Sequence, residues 1–200
     1  MLDLPCSTEV NQRVTKEKLY ANTNLTPQLR DIIKNQIEMV IWRNKLASST
    51  FNVSAGKTVD EIQVFEIQLR QCSLDKRVLP AIVKAIPYKI LFILTFEKEV
   101  QAWMEVQDIF YNTEWVLRDG FVLKFDGLNL DVVYENLMRQ LAGDRLDLGE
   151  NFGEAVNQDV YQRKIEREIT ALEKKMWREP QFNKQVELNS ELKRLKKELK

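Results

Sequence analysis

Glu66 and Gln68 stand one residue apart on the most strand-like stretch of the chain, Glu61-Ile62-Gln63-Val64-Phe65-Glu66-Ile67-Gln68-Leu69-Arg70. With a period of two, Ile62, Val64, Glu66 and Gln68 share one face, and Phe65, Ile67 and Leu69 share the other. Apolar residues on both faces predict a central strand covered on both sides. A buried carboxylate costs energy unless it is paired, so Glu66 is the first candidate for chemistry. A carboxylate, one spacer and a basic or amide residue at a strand end resembles the degenerate metal site of restriction-type nucleases. In that reading Glu66 and Gln68 are catalytic, with Glu61 or Asp60 as the second acid, because metal-assisted phosphodiester cleavage needs carboxylates converging on one phosphate. Gln68 replaces the usual lysine, Asp31 falls in a helix, and Asp60 and Glu61 lie on the same strand as Glu66. The simpler reading is a paired strand-end carboxylate facing Arg70 or a loop backbone, and it carries more weight.

Other chemistry is narrowed by what is missing. The chain has no histidine, which removes Ser-His-Asp and Cys-His nucleophile pairs and histidine zinc sites. Its two cysteines, Cys6 and Cys72, lack metal-ligand spacing. Gly56-Lys57-Thr58 invites a phosphate-loop reading, but the position five residues before Gly56 is Phe51, and a strand rather than a helix follows. No cofactor, no metal and no catalytic residue is expected, and the protein is read as leaning away from enzymes.

Basic residues are the remaining candidates. Arg13, Lys16 and Lys18 near the start, and Lys193, Arg194, Lys196, Lys197 and Lys200 near the end, are candidate contacts for a partner or for phosphates. Lysine plus arginine balances aspartate plus glutamate at 30 each, so any nucleic-acid binding would be local. No apolar run approaches the ~20 residues of a spanning helix, and no signal peptide is apparent, so a cytoplasmic setting without membrane is expected.

The elements that must position these residues follow from spacing. Residues 1–25 read as a polar, irregular arm. Thr26 and Pro27 open a helix whose buried face runs through Leu29, Ile32, Ile33, Ile37, Met39, Val40 and Leu46, with Trp42 near its end. Residues 47–58 read as a loop. After the 61–70 strand, a helix beginning near Val78 or Leu79 is closed by Pro87. Strands follow at 90–96, 100–106 and 109–117, and Asp119-Gly120 reads as a hairpin turn into a fourth strand at 121–125. A helix from Asn129 or Asp131 ends at Gly143. The order predicts an α+β domain over 1–143, with a largely antiparallel sheet and packed helices. Residues 144–158 read as a linker. Beyond it, Tyr161, Ile165, Ile169, Leu172 and Met176 form one helical stripe, and Leu188, Leu192, Leu195 and Leu199 a second. Pro180 separates them, and Asn183 is placed to cap the second helix. The prediction for 159–200 is an antiparallel, coiled-coil-like helical hairpin, a separable arm suited to protein–protein interaction.

Several stretches together resemble one family. They are Leu4-Pro5-Cys6-Ser7-Thr8 with Val10-Asn11-Gln12-Arg13, Glu61 through Ile67, Lys84-Ala85-Ile86-Pro87-Tyr88 with Ile90-Leu91-Phe92, Thr113-Glu114-Trp115, and Gln181-Phe182-Asn183-Lys184-Gln185-Val186-Glu187-Leu188-Asn189. In this order they are similar to the uncharacterised bacterial domain-of-unknown-function 4391 family. The chain departs from it at Pro180, where a lysine is expected, and in a shorter segment between Met104 and Trp115. The resemblance implies a bacterial cytoplasmic protein often encoded near helicases and DNA methyltransferases in restriction or phage-defence loci. It implies no activity and no catalytic residues.

Overall fold

The N-terminal stretch holds regular structure that its polarity hides: strand β1 (Glu9–Val14) and helix α1 (Lys16–Asn22). β1 is a sheet edge with mostly exposed side chains, so it lacks the apolar alternation that announces a strand. The structure, a computed structural model, describes residues 2–22, 25–146, 149 and 151–199. Helix α2 (Pro27–Gln36) starts as expected, with the Leu29 N–H donating to the Thr26 hydroxyl at 3.3 Å and proline in the first turn.

α2 does not continue to Leu46. Residues Ile37–Ala47 are a strand, β2, and the difference has a physical cause. β2 carries two bulges against its neighbour, one between Ile37 and Met39 and one between Trp42 and Asn44. Each bulge inserts a residue and shifts which side chains share a face. Ile37, Val40 and Trp42 therefore pack on one side, although the first two are three positions apart, and the spacing imitates a helix.

A single turn, α3 (Ser48–Phe51), leads toward β3 (Glu61–Leu69), which lies in the middle of the sheet as its two apolar faces require. Helix α4 (Val78–Val83) crosses to β4 (Lys89–Phe96), followed by β5 (Glu99–Val106) and β6 (Ile109–Asn112). The expected strand over 109–117 is split, because β6 ends at Asn112 and only β7 (Val116–Leu117) resumes pairing, with β5. The expected strand at 121–125 is also absent. Asp119-Gly120 belongs to a 3-10 turn, Arg118–Gly120, and Phe121 and Leu123 bury their side chains without joining a ladder. Sheet order is β1-β2-β3-β4-β5-β6. Every pairing is antiparallel except β3 with β4, which are joined by the α4 crossover.

Both faces are covered. Phe65, Ile67, Leu69, Phe92 and Leu94 pack beneath Leu19 of α1, Ile33 of α2 and Val78, Leu79 and Ile82 of α4. α5 (Leu130–Ala142) packs against β3, β5 and β6. Lys89, in register with Ile62, holds its ammonium 5.1 Å from the Tyr134 ring of α5, so α5 lies over the face of Ile62, Val64 and Glu66. The Asn129 side chain caps α5 by accepting from the Val132 N–H at 3.0 Å, and Gly143 closes it at a φ of 58°.

The chain divides into two compact units, 1–144 and 145–200. The second contains α6 (Phe152–Arg178) and α7 (Phe182–Glu198). α6 begins inside the stretch expected to be a linker, because Asn151 caps it by accepting from the Gly153 N–H at 2.9 Å; residues 147, 148 and 150 of that stretch lie outside the described residues. Pro180 falls in the break. The N-cap of α7 is Gln181, not Asn183, which lies inside the first turn. The Glu179 carboxylate accepts from the Gln181 N–H at 3.1 Å, and the Gln185 amide donates to the Glu179 carbonyl at 2.6 Å. Ile165, Ile169, Leu192 and Leu195 are buried in the seam, with Leu172, Met176 and Leu199 against them, and Lys196 bridges to Glu173 at 2.7 Å.

Most helical stability in proteins comes from packing an apolar face, so the seam is expected to supply most of the stability of this pair. Leu192→Ala is expected to cost about 2–4 kcal/mol of local stability, since cavity and transfer terms add. Hydrogen exchange should lose protection in α6 and α7 and keep it in β3. Equal loss in β3 would contradict separate unfolding of the two units.

Candidate functional site

Because β3 pairs with β4 without a register shift from Ile62 to Gln68, its residues alternate strictly between faces. Glu66 is only 6% exposed and, with Gln68, faces the α5 side of the sheet, in register with Ile93. Its partners come from three places. Arg43 Nε donates to Oε2 at 2.7 Å, Arg118 Nη2 to Oε1 at 3.0 Å, and Gln68 Nε2 to Oε1 at 3.4 Å. Arg43 sits at the second bulge of β2, which aims its side chain at this face. Its Nη1 also donates to Asn11 Oδ1 at 3.2 Å, and Asn11 lies at a register shift of β1 with a φ of 48°. Asparagine tolerates this left-handed conformation better than most residues. Burial pushes the Glu66 carboxyl up, but the Arg43 hydrogen bond and charge, the Gln68 hydrogen bond and the Arg118 charge outweigh it. The group is held below its ordinary value. Beside this cluster lies a cavity of about 300 Å³, also lined by Leu2, Leu4, Ile93, Val100 and Phe121.

The acids expected to join Glu66 do not. Glu61 alternates to the opposite face, where its carboxylate accepts from Lys45 Nζ and Gln63 Nε2, each at 2.8 Å. Asp60 is six positions from Glu66, roughly 20 Å along an extended chain. The structure therefore does not bring Glu66, Gln68 and Glu61 or Asp60 together: Glu61 lies on the other face of the strand and Asp60 precedes it. Arg70 is not the partner of Glu66 either; Arg43 and Arg118 are. Sequence reasoning missed both arginines. A carboxylate on a buried strand demands a cation, but which one depends on a bulge and a turn that leave little trace in the periodicity.

The Gly56-Lys57-Thr58 loop does gather N–H groups around an anion, and the anion is internal. The N–H groups of Lys57, Thr58 and Val59 donate to the Asp131 carboxylate at 2.6, 3.1 and 2.9 Å, and the Thr58 hydroxyl adds a fourth bond at 2.8 Å. A Cβ on Gly56 would collide with that carboxylate, so glycine is required here. Burial raises the Asp131 carboxyl, but these hydrogen bonds hold it below the usual carboxylate range.

Among the basic candidates, Lys16 is engaged: its ammonium donates to the carbonyls of Ile37 at 2.6 Å and Lys34 at 3.3 Å, at the end of α2. Desolvation, with the Arg70 charge next, lowers its pKa. Lys196 is paired with Glu173, whereas Arg13, Lys18, Lys193, Arg194 and Lys197 are exposed; Lys200 lies outside the described residues. The hairpin's turn shows what the charge pattern does not: Trp177 is 84% and Phe182 74% exposed, one on each side of Pro180.

A largely antiparallel mixed sheet with helices on both faces, followed by a helical pair, makes this an α+β protein. The chain belongs to the family described as Domain of unknown function (DUF4391), which matches residues 2–199. No curated protein and no solved structure matches it. No described helix is long and apolar enough to cross a membrane.

Glu66→Gln is expected to destabilise the protein by about 1–3 kcal/mol at pH 7, the range for losing charged hydrogen bonds at a buried site. The folded carboxyl is held below its ordinary 4.5, so this contribution is fully present above that value and is lost as pH falls through the folded value. Urea unfolding of both proteins at pH 7 and near pH 3 should show the difference shrinking. A difference that is constant with pH would contradict the ion-pair account.

Proposed function

We propose that this protein is a non-catalytic accessory component of a DNA-modification or phage-defence system, and that the turn of the α6–α7 hairpin binds a protein partner. The observation that supports it most is the exposed apolar surface there. Trp177 and Phe182, with Met176 and Val186, line a groove of about 280 Å³. Two aromatic rings held in water at a helix break are the kind of anchor that concentrates binding energy at interfaces. Lys174, Lys175, Arg178 and Lys184 lie within a few positions of these rings in the sequence, with Glu179 and Glu187 among them, while Glu173 is taken up by Lys196. This chemistry suits an acidic amphipathic helix laying its apolar face in the groove. The family's association with helicases and DNA methyltransferases makes those proteins the first partners to try.

The engagement of Glu66 by two arginines favours the accessory reading over the nuclease one. Direct nucleic-acid binding through Arg13, Lys18, Lys193, Arg194 and Lys197 is the competing use of exposed charge, and it would weaken steeply with salt.

The test is co-purification of the full chain with the products of its neighbouring genes, any helicase or DNA methyltransferase among them first, repeated with Trp177→Ser/Phe182→Ser. Both side chains are exposed, so melting should be unchanged. Losing two anchors should weaken association by about 2 kcal/mol or more, roughly 30-fold. Undiminished recovery of the partner by the variant, or recovery abolished by nuclease digestion, would contradict the proposal.

A further inference from the structure

We infer that the cavity beside Glu66 binds a small monoanionic carboxylate with an apolar body, its carboxylate seated between Arg43 and Arg118. The argument starts from donors. Each guanidinium offers five N–H groups in a rigid plane. Glu66 takes one from Arg43 and one from Arg118, and Asn11 takes one more from Arg43. Most donors of both groups are thus unused by these bonds, while the buried carboxylate fixes the two cations side by side. Both side chains are partly exposed, Arg43 by 33% and Arg118 by 44%, so the remaining donors are within reach of an incoming group. Two guanidiniums held in place present the planar, forked geometry that carboxylates match.

The rest of the cavity states what the anion is attached to. Leu2, Leu4, Ile93, Val100 and Phe121 form apolar walls, and the volume of about 300 Å³ is at the small end of organic ligand sites. An apolar cavity with a few convergent polar groups is the usual form of such a site. Charge bookkeeping limits the ligand further. The charged side chains at the cavity are Arg43, Arg118, Glu66 and Glu9. Glu66 is enclosed by its two partners, and Glu9 is exposed and accepts from the Asn11 amide at 3.0 Å. The four formal charges sum to zero, so the pull on an anion comes from the spare guanidinium donors and not from net charge, which favours one negative charge over two.

This inference is independent of the hairpin's role. Its test uses the full chain with Ile and Val methyls labelled, titrated with phenylacetate, with neutral phenylacetamide and with phenyl phosphate. Phenylacetate should shift the methyls of Ile93 and Val100 and bind about tenfold or more tightly than phenylacetamide, a difference of about 1.4 kcal/mol. Arg118→Gln should bring acid and amide to within a few-fold of each other. Equal binding of acid and amide by the unaltered protein would overturn the inference without recourse to any variant. So would tighter binding of phenyl phosphate, no shift at Ile93 and Val100, or a folded Arg118→Gln protein that still prefers the acid.

Discussion

The buried carboxylate of Glu66 must be compensated, and meeting that requirement organises the centre of the sheet. Removing a carboxylate from water costs several kcal/mol unless cations and hydrogen bonds replace the lost solvation. The cations come from positions 23 residues before and 52 residues after Glu66, so this one group ties together strands that are distant in sequence. Each supplier is held by its own local device. The bulge in β2 turns Arg43 toward the α5 side of the sheet. Arg118 stands at the start of the 3-10 turn after β7, its N–H donating to the Lys98 carbonyl at 2.9 Å. The left-handed Asn11 of β1 then reaches Arg43 from the other side.

Asp131 repeats the principle elsewhere. Three backbone N–H groups and one hydroxyl converge on it from the Gly56 loop, the kind of nest that elsewhere receives a phosphate. Both sequence features that suggest chemistry, the strand carboxylate and the Gly-Lys-Thr triplet, are thus paired with groups of the chain itself. The unpaired features are of another kind: spare guanidinium donors over an apolar cavity, and aromatic rings exposed at a helix break. These suit binding rather than bond-breaking.

What was readable in advance follows from where the information is stored. β3 and β4, the Thr26-Pro27 start, the Asn129 and Gly143 ends of α5 and the break at Pro180 all depend on residues within a few positions of one another. β2 reads as a helix because its two bulges, at Glu38 and Arg43, convert alternation into a spacing like that of a helix. β1 is hidden by its polar edge, whereas the buried alternation of Phe121 and Leu123 imitates a strand that does not pair. Glu66 was recognisable as a carboxylate in need of a partner. The identity of that partner was not, because a bulge and a turn far along the chain decide it. Lys16 was likewise visible as a charge, but its capture by two carbonyls at the end of α2 is a tertiary fact.

The central claim is that Glu66 is an ionised, doubly paired carboxylate. Its side-chain carboxyl ¹³C resonance, followed through acid titration of the full chain, measures that state directly. The account predicts a protonation midpoint below the ordinary 4.5, because the pairing with Arg43 and Arg118 outweighs burial. A midpoint at or above 4.5 would mean that burial dominates and would contradict the pairing on which the account rests.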